Sequence, residues 1–188
     1  EVLPVANALD PEKGVMPRQL IEKMGEMGYF GILIPQKYGG LGLGVFEYCL
    51  VAEELAAGWM SVASIIARGN SFYKRIGGAS EQRDEKIQRM AQGDYLGAFA
   101  MSEPNAGSDM AAVSCSAKRE GDEWVINGNK YWCTFADEAD FINVICRVES
   151  SDTARQAGMK GIAVEKNRGE LPPGVQGSVI PKIGYHGW

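Results

Sequence analysis

The sequence predicts an α+β fold: an N-terminal all-α domain over residues 1–94, then an antiparallel β-sheet or barrel-like domain over residues 95–188. Three observations lead there. The hydrophobic period changes from helical to alternating near Tyr95. Asn127-Gly128 sits between two β-rich runs, the mark of a two-residue hairpin. Strands and helices do not alternate along the chain, as a doubly wound sheet would require.

The helices follow from spacing and stop signals. Leu20, Ile21, Met24 and Met27 recur at helical intervals between Pro17 and Gly28. Phe46, Leu50 and Leu55 mark a second helix over FEYCLVAEELAAG. SVASIIARGNSFYKRIG is apolar enough for a third, largely buried helix. SEQRDEKIQRMAQGD forms a fourth, with Ser80 as N-cap, Glu81 in the first turn and Gly93 just past the end.

In the second half, Val113, Cys115 and Ala117 alternate with Ser114, Ser116 and Lys118, as in a strand with one buried face. The Asn-Gly turn then places Lys130–Thr134 on a following strand, with Trp132 and Thr134 on the same side. FINVICRV and GIAVE complete the strands, joined by the polar loop ESSDTARQAGMK.

Composition excludes several classes. With 188 residues the chain can bury roughly 70% of its unfolded surface. A net charge of −5 without a basic stripe argues against a nucleic-acid partner. No apolar run is long enough to span a bilayer. Cys49, Cys115, Cys133 and Cys146 lie far apart, and His186 is the only histidine, so the set is poor for zinc. Three of the cysteines sit in apolar or alternating runs, which favours buried, reduced thiols. The chain opens on Glu1 and carries no signal or transit segment, so a processed or truncated terminus is expected.

Two segments concentrate chemistry. GAFAMSEPNAGSD, residues 97–109, passes from a small apolar run to a proline, a glycine, two hydroxyls and two carboxylates. Glu103 and Asp109 are expected to accept backbone N–H bonds and fix the turn rather than act as an acid/base pair. Gly107 permits close backbone approach, and freed N–H groups suit anionic or carbonyl oxygens. In the second segment, Trp132 offers a wide flat face and Thr134 a hydroxyl, a combination suited to a planar heteroaromatic ring. YGGLGLG, residues 38–44, precedes a helix but follows no strand and lacks Gly-Lys-Ser/Thr, so it reads as a turn.

AMSEPNAGSD followed by INGNKYWCT resembles the paired signatures of the acyl-CoA dehydrogenase family of flavoproteins. MGEMGYFGILIPQKYGGLGL, EELAAG, GGASEQRDEKIQRMAQGDYLGAFA and PKIGYHGW extend the resemblance over essentially the whole chain. It implies FAD against the β domain, with Phe99 to Ser108 lining the flavin and Met101 and Ser102 near its pyrimidine end. Gly107 and Ser108 would meet the diphosphate, Ser108 also approaching the substrate's pantetheine arm. Trp132 would stack beside the isoalloxazine, with Cys133 next to it and the Thr134 hydroxyl bonding flavin N5.

The resemblance further implies α,β-dehydrogenation of an acyl-CoA, with hydride passing to flavin N5 and electrons onward to an electron-transferring flavoprotein. A homotetramer in the bacterial cytoplasm or mitochondrial matrix, not a secreted protein, is the matching expectation. Family members continue into a C-terminal four-helix domain that carries the catalytic glutamate and completes the FAD site. That bundle is absent from residues 1–188, so no catalytic residue is assigned here and the isolated chain is expected to be inactive. Ser102 stands where many relatives carry Thr, and Phe135-Ala136 replaces a commoner Asn-Gly-like continuation. The alternatives are a flavin oxidase or monooxygenase of the same fold, and a binding module that has lost catalysis.

Overall fold

The computed structural model describes residues 1–148, 158–182 and 186–187. Most of the polar loop after FINVICRV, and part of the PKIGYHGW stretch, lie outside the described residues. The chain forms two compact units, Glu1–Leu96 with Pro181–Trp188, and Gly97–Ile180.

The first unit is helical: α1 (Val2–Leu9), α2 (Arg18–Glu26), α3 (Val45–Gly58), α4 (Met60–Ile65), α5 (Ala67–Asn70) and α6 (Ser80–Gln92). Pro17 caps α2, and Gly28 takes the left-handed conformation (φ 76°) that turns the chain beyond it. The α6 stop is as expected: Gly93 is left-handed, and Gly93 N–H and Asp94 N–H donate to Met90 O and Arg89 O. Its N-cap is Ala79 rather than Ser80, which is the first helical residue.

The expected third helix is broken into α4, α5 and a 3₁₀ turn over Tyr73–Arg75. Side chains there share carbonyls with the backbone N–H groups of Asn70 and Ser71: Asn70 Nδ2 donates to Ile66 O at 2.9 Å and Ser71 Oγ to Ala67 O at 2.6 Å. Asn70 also accepts from Leu33 N and donates to Tyr29 O, which ties α5 to the buried strip containing Phe30, Ile32 and Ile34. The periodicity of α3 marks a helix but not a buried face, since Phe46 is 71% exposed and Leu50 is exposed as well. YGGLGLG is a turn, with Gly39 and Gly42 left-handed. His186 is buried, its Nδ1 3.7 Å from Asp10, and its carbonyl accepts from Ser61 Oγ.

The second unit holds one sheet: β1 (Gly97–Ala100), β2 (Ser116–Glu120), β3 (Glu123–Asn127), β4 (Phe141–Val148) and β5 (Met159–Glu165). The sheet is mixed, which corrects the antiparallel expectation: β1 and β2 both run parallel to β4, while β3 and β5 pair antiparallel with β2 and β4. Because β5 occupies the other edge of β4, β1 and β2 share one edge, end to end. Ala100 pairs with Val144 and Ser116 with Arg147, so three steps along β4 correspond to sixteen along the partner chain. The chain leaves the sheet after Ala100, makes an excursion over 101–115, and re-enters the same edge in the same direction. That return to one edge is why the pairing is parallel.

The hairpin also lies elsewhere than expected. Glu120 pairs with Glu123, so Gly121-Asp122 makes the β2–β3 turn, with Gly121 left-handed at φ 63°. Asn127 ends β3, and residues 128–134 leave the sheet instead of forming the next strand. Gly128 serves close packing: a Cβ there would lie 2.7 Å from Cys115 Cα. The two glycines are therefore expected to answer differently to alanine. Gly121→Ala, with open space around it, should cost about 1 kcal/mol from its backbone angle alone. Gly128→Ala should cost roughly 1–3 kcal/mol by overpacking against Cys115. Denaturant midpoints of the two variants measure the difference.

Candidate functional site

The excursion from β1 is fastened at its first turn by Glu103. Its backbone N–H donates to Ala106 O at 2.8 Å and its carbonyl accepts from Ala106 N–H at 3.2 Å, closing a tight turn through Pro104 and Asn105. The side chain reaches inward to the far end of the same excursion. Oε2 accepts from Ser114 N at 2.8 Å and Ser114 Oγ at 2.7 Å, and Oε1 accepts from Cys115 N at 2.9 Å. Asp109 fixes a second turn by accepting from Ala111 N at 3.2 Å. Both carboxylates thus hold turns, as the sequence suggested.

A fourth donor to Glu103 arrives from the other segment. Lys130 Nζ lies 2.8 Å from Glu103 Oε1 and 3.0 Å from Met101 O, with side chains 10% and 3% exposed for Lys130 and Glu103. The next residue, Tyr131, donates its N–H to Ser102 O at 2.8 Å. The two segments singled out in the sequence are therefore joined, though not as neighbouring strands. The expected alternation of Trp132 and Thr134 gives way to a loop in which Trp132 is left-handed at φ 60° and Thr134 opens a turn. Phe135 is left-handed as well, at φ 69°. Such angles cost a non-glycine residue roughly 1–2 kcal/mol each, so they persist only where surrounding bonds hold them.

Burial alone would raise the Glu103 pKa. The hydrogen bonds from Lys130, Ser114 and Cys115 outweigh it and lower the value from 4.5 to about 2. Beneath this cluster Cys115 and Cys146 are both buried, with sulfurs 3.8 Å apart, and burial together with Cys115 pushes the Cys146 thiol up to about 12. These are inert core thiols. Cys133 is half-buried and Cys49 is exposed, so the expectation of buried cysteines holds for Cys115 and Cys146.

Around the fastened core lies an open surface. Trp132 is 65% exposed, Met101 and Tyr131 are exposed, and the Tyr131 and Trp132 rings sit 6.1 Å apart at 58°. Gly107 and Ser108 are exposed, while Phe99, Ser102, Cys133 and Thr134 are intermediate. An exposed indole beside a strand exit with accessible backbone can stack on a planar ligand and offer hydrogen bonds to its polar groups. Sequence reasoning assigned no role to Lys130, although it stands two residues before Trp132 in the quoted motif. Among the described residues no group of three or more His, Cys, Asp or Glu could hold a metal ion, and no helix is long and apolar enough to cross a membrane.

Comparison with known proteins agrees with this architecture. Residues 1–94 match the acyl-CoA dehydrogenase N-terminal domain and residues 98–188 the middle domain of the same family. The chain belongs to the acyl-CoA dehydrogenase family. It is 38% identical over 168 residues to the mitochondrial short-chain specific acyl-CoA dehydrogenase of Rattus norvegicus, which covers 87% of this chain and 39% of that enzyme. The structure of an acyl-CoA dehydrogenase from Geobacillus kaustophilus superposes with a TM-score of 0.85 at 30% identity, over 98% of this chain and 48% of that one. A glutaryl-CoA dehydrogenase from Mycobacterium smegmatis, solved in complex with FADH2, gives 0.82 at 26% identity, over 98% and 46%. The chain thus spans less than half the length of these relatives.

The Glu103 cluster sets an acid limit on stability. A carboxyl whose folded pKa lies near 2 against 4.5 unfolded stabilises the fold fully above pH 4.5. That contribution, roughly 3 kcal/mol, is lost as pH falls from 4.5 toward 2. Glu103→Gln should lower neutral-pH stability by roughly 3–5 kcal/mol, because Lys130 is left buried and unpaired. It should also flatten the dependence of the urea midpoint on pH across that window.

Proposed function

We propose that this chain supplies the N-terminal and middle portions of an FAD-dependent acyl-CoA dehydrogenase. The observation that carries the reading is the hydrogen-bonded junction of 101–103 with 130–131, which joins the two family segments and leaves Trp132 open. The residues present fit a flavin dinucleotide. Trp132 exposes most of its indole, and a Cβ built on Gly107 meets nothing within 4 Å, so the backbone there is open to a bulky group.

In this reading Phe99, Met101 and Ser102 line the flavin, and Gly107 and Ser108 receive its diphosphate. Trp132 and Cys133 flank the ring, and the Thr134 hydroxyl donates to it. Ser108 also binds the acyl-CoA. FAD, when bound, supplies the two-electron acceptor for α,β-dehydrogenation of the thioester. The chain's own part is to hold the ring between fixed donors, shield one face from water with the indole, and offer a hydroxyl where negative charge develops.

A carboxylate base outside these residues would take the α-proton, and an electron-transferring flavoprotein would receive the electrons. A tetramer in a bacterial cytoplasm or mitochondrial matrix is the matching assembly and compartment. Anaerobic titration of the full-length holoprotein that contains these residues with a panel of acyl-CoA esters tests the reading: one ester class should bleach the oxidised flavin band. A flavin spectrum that no ester bleaches would overturn it. Thr134→Val should slow the bleaching by about a hundredfold while FAD remains bound, as stopped-flow absorbance would measure.

A further inference from the structure

We propose that Lys130 is a positioning residue for the flavin-facing loop: by clamping Met101 O and Glu103 it holds Trp132 in its left-handed, exposed conformation. The inference rests on the FAD reading above and adds a role to a residue outside the flavin-lining set.

Three bonds that fasten the loop to the strand exit are made at its first two residues. Lys130 Nζ donates to Met101 O and Glu103 Oε1, and Tyr131 N–H donates to Ser102 O. The 101–103 backbone to which they attach is itself immobilised, because Glu103 is bonded to Ser114, Cys115 and Ala106. Trp132 follows directly, with φ 60° and its side chain 65% exposed. Its own packing therefore does little to keep that unfavourable angle. Further along the loop Thr134 N–H donates to Trp132 O and Ala136 N–H to Cys133 O, which shape the turn.

Lys130 suits this task because a cation between two oxygens makes short, charge-assisted bonds, and the one to Glu103 is partly buried and so less open to water and salt. Without it the loop would keep the Tyr131 bond to Ser102, and Trp132 would relax toward an ordinary backbone angle. A ring platform displaced by about 1 Å loses much of its value to a planar ligand.

A merely structural salt bridge and a positioning clamp make different predictions. The informative variant is the double change Lys130→Met with Glu103→Gln. It leaves no unpaired buried charge; the amide keeps one acceptor oxygen where the carboxylate offered one to Cys115 and one to Ser114, so the denaturant midpoint checks that the fold is retained. Full-length apoprotein containing these residues is titrated with FAD, following flavin fluorescence and the fine structure of the visible flavin bands, with the denaturant midpoint recorded in parallel. The expected result is FAD affinity lowered roughly tenfold or more, with altered band structure, in protein that remains folded. Lys130→Gln, which retains a donor for Met101 O without the charge, gives the same reading at a smaller perturbation should the double variant unfold. Wild-type affinity and spectrum in either folded variant would overturn the positioning role. Full-length wild-type protein that takes up no FAD would overturn the cofactor reading instead, and this inference with it.

Discussion

The β unit depends on one buried carboxylate. Glu103 stands at the point where the chain has just left the sheet, and its two oxygens collect donors from the returning chain and from a separate loop. A carboxylate placed at that depth without its donors would be strongly unfavourable. With all of them it becomes a fixed joint, and three pieces of backbone distant in sequence have only one mutual arrangement.

The joint explains how the sheet tolerates a long interruption. Between Ala100 and Ser116 the edge of β4 is left and regained within three residues. Such an excursion would be free to wander if only its ends were anchored. Glu103 ties the exit to Ser114 and Cys115, and Arg147 binds the carbonyls of Ala111 and Val113 through its guanidinium at 2.8 and 3.1 Å. Ala106 and Val113 bury themselves in the same small core as Cys115, Ala117 and Cys146. The excursion is consequently a structured platform whose outer residues, Gly107 and Ser108 among them, remain accessible.

Much of this was legible in the sequence, and the failures share a cause. Helices α2, α3 and α6 followed from spacing, α2 and α6 also from their glycine stops, and β4 and β5 from continuous β-rich runs. The turn-fixing role of Glu103 followed from its place at a strand end. What misled was local pattern set against tertiary demand. Asn127-Gly128 has ideal hairpin chemistry, but Gly121-Asp122 formed the turn, and Gly128 was needed for its missing side chain against Cys115. The α4–α5 run reads as one helix, and nothing in its apolar period marks the break at Ile66. Phe46 and Leu50 keep helical period on an exposed face, because periodicity reports conformation and not what lies opposite. No local signal encodes the left-handed angle of Trp132, which contacts far along the chain impose.

The paired thiols beneath the joint give the sheet a built-in clock. Cys115 and Cys146 face each other in the core, while Cys49 lies on the surface. A thiol-directed reagent will therefore meet Cys49 at the rate of simple chemistry, whereas the two core sulfurs wait for the strands to part. The delay between the first modification and the later ones records how often this region breathes, read directly from mass shifts on the unaltered protein.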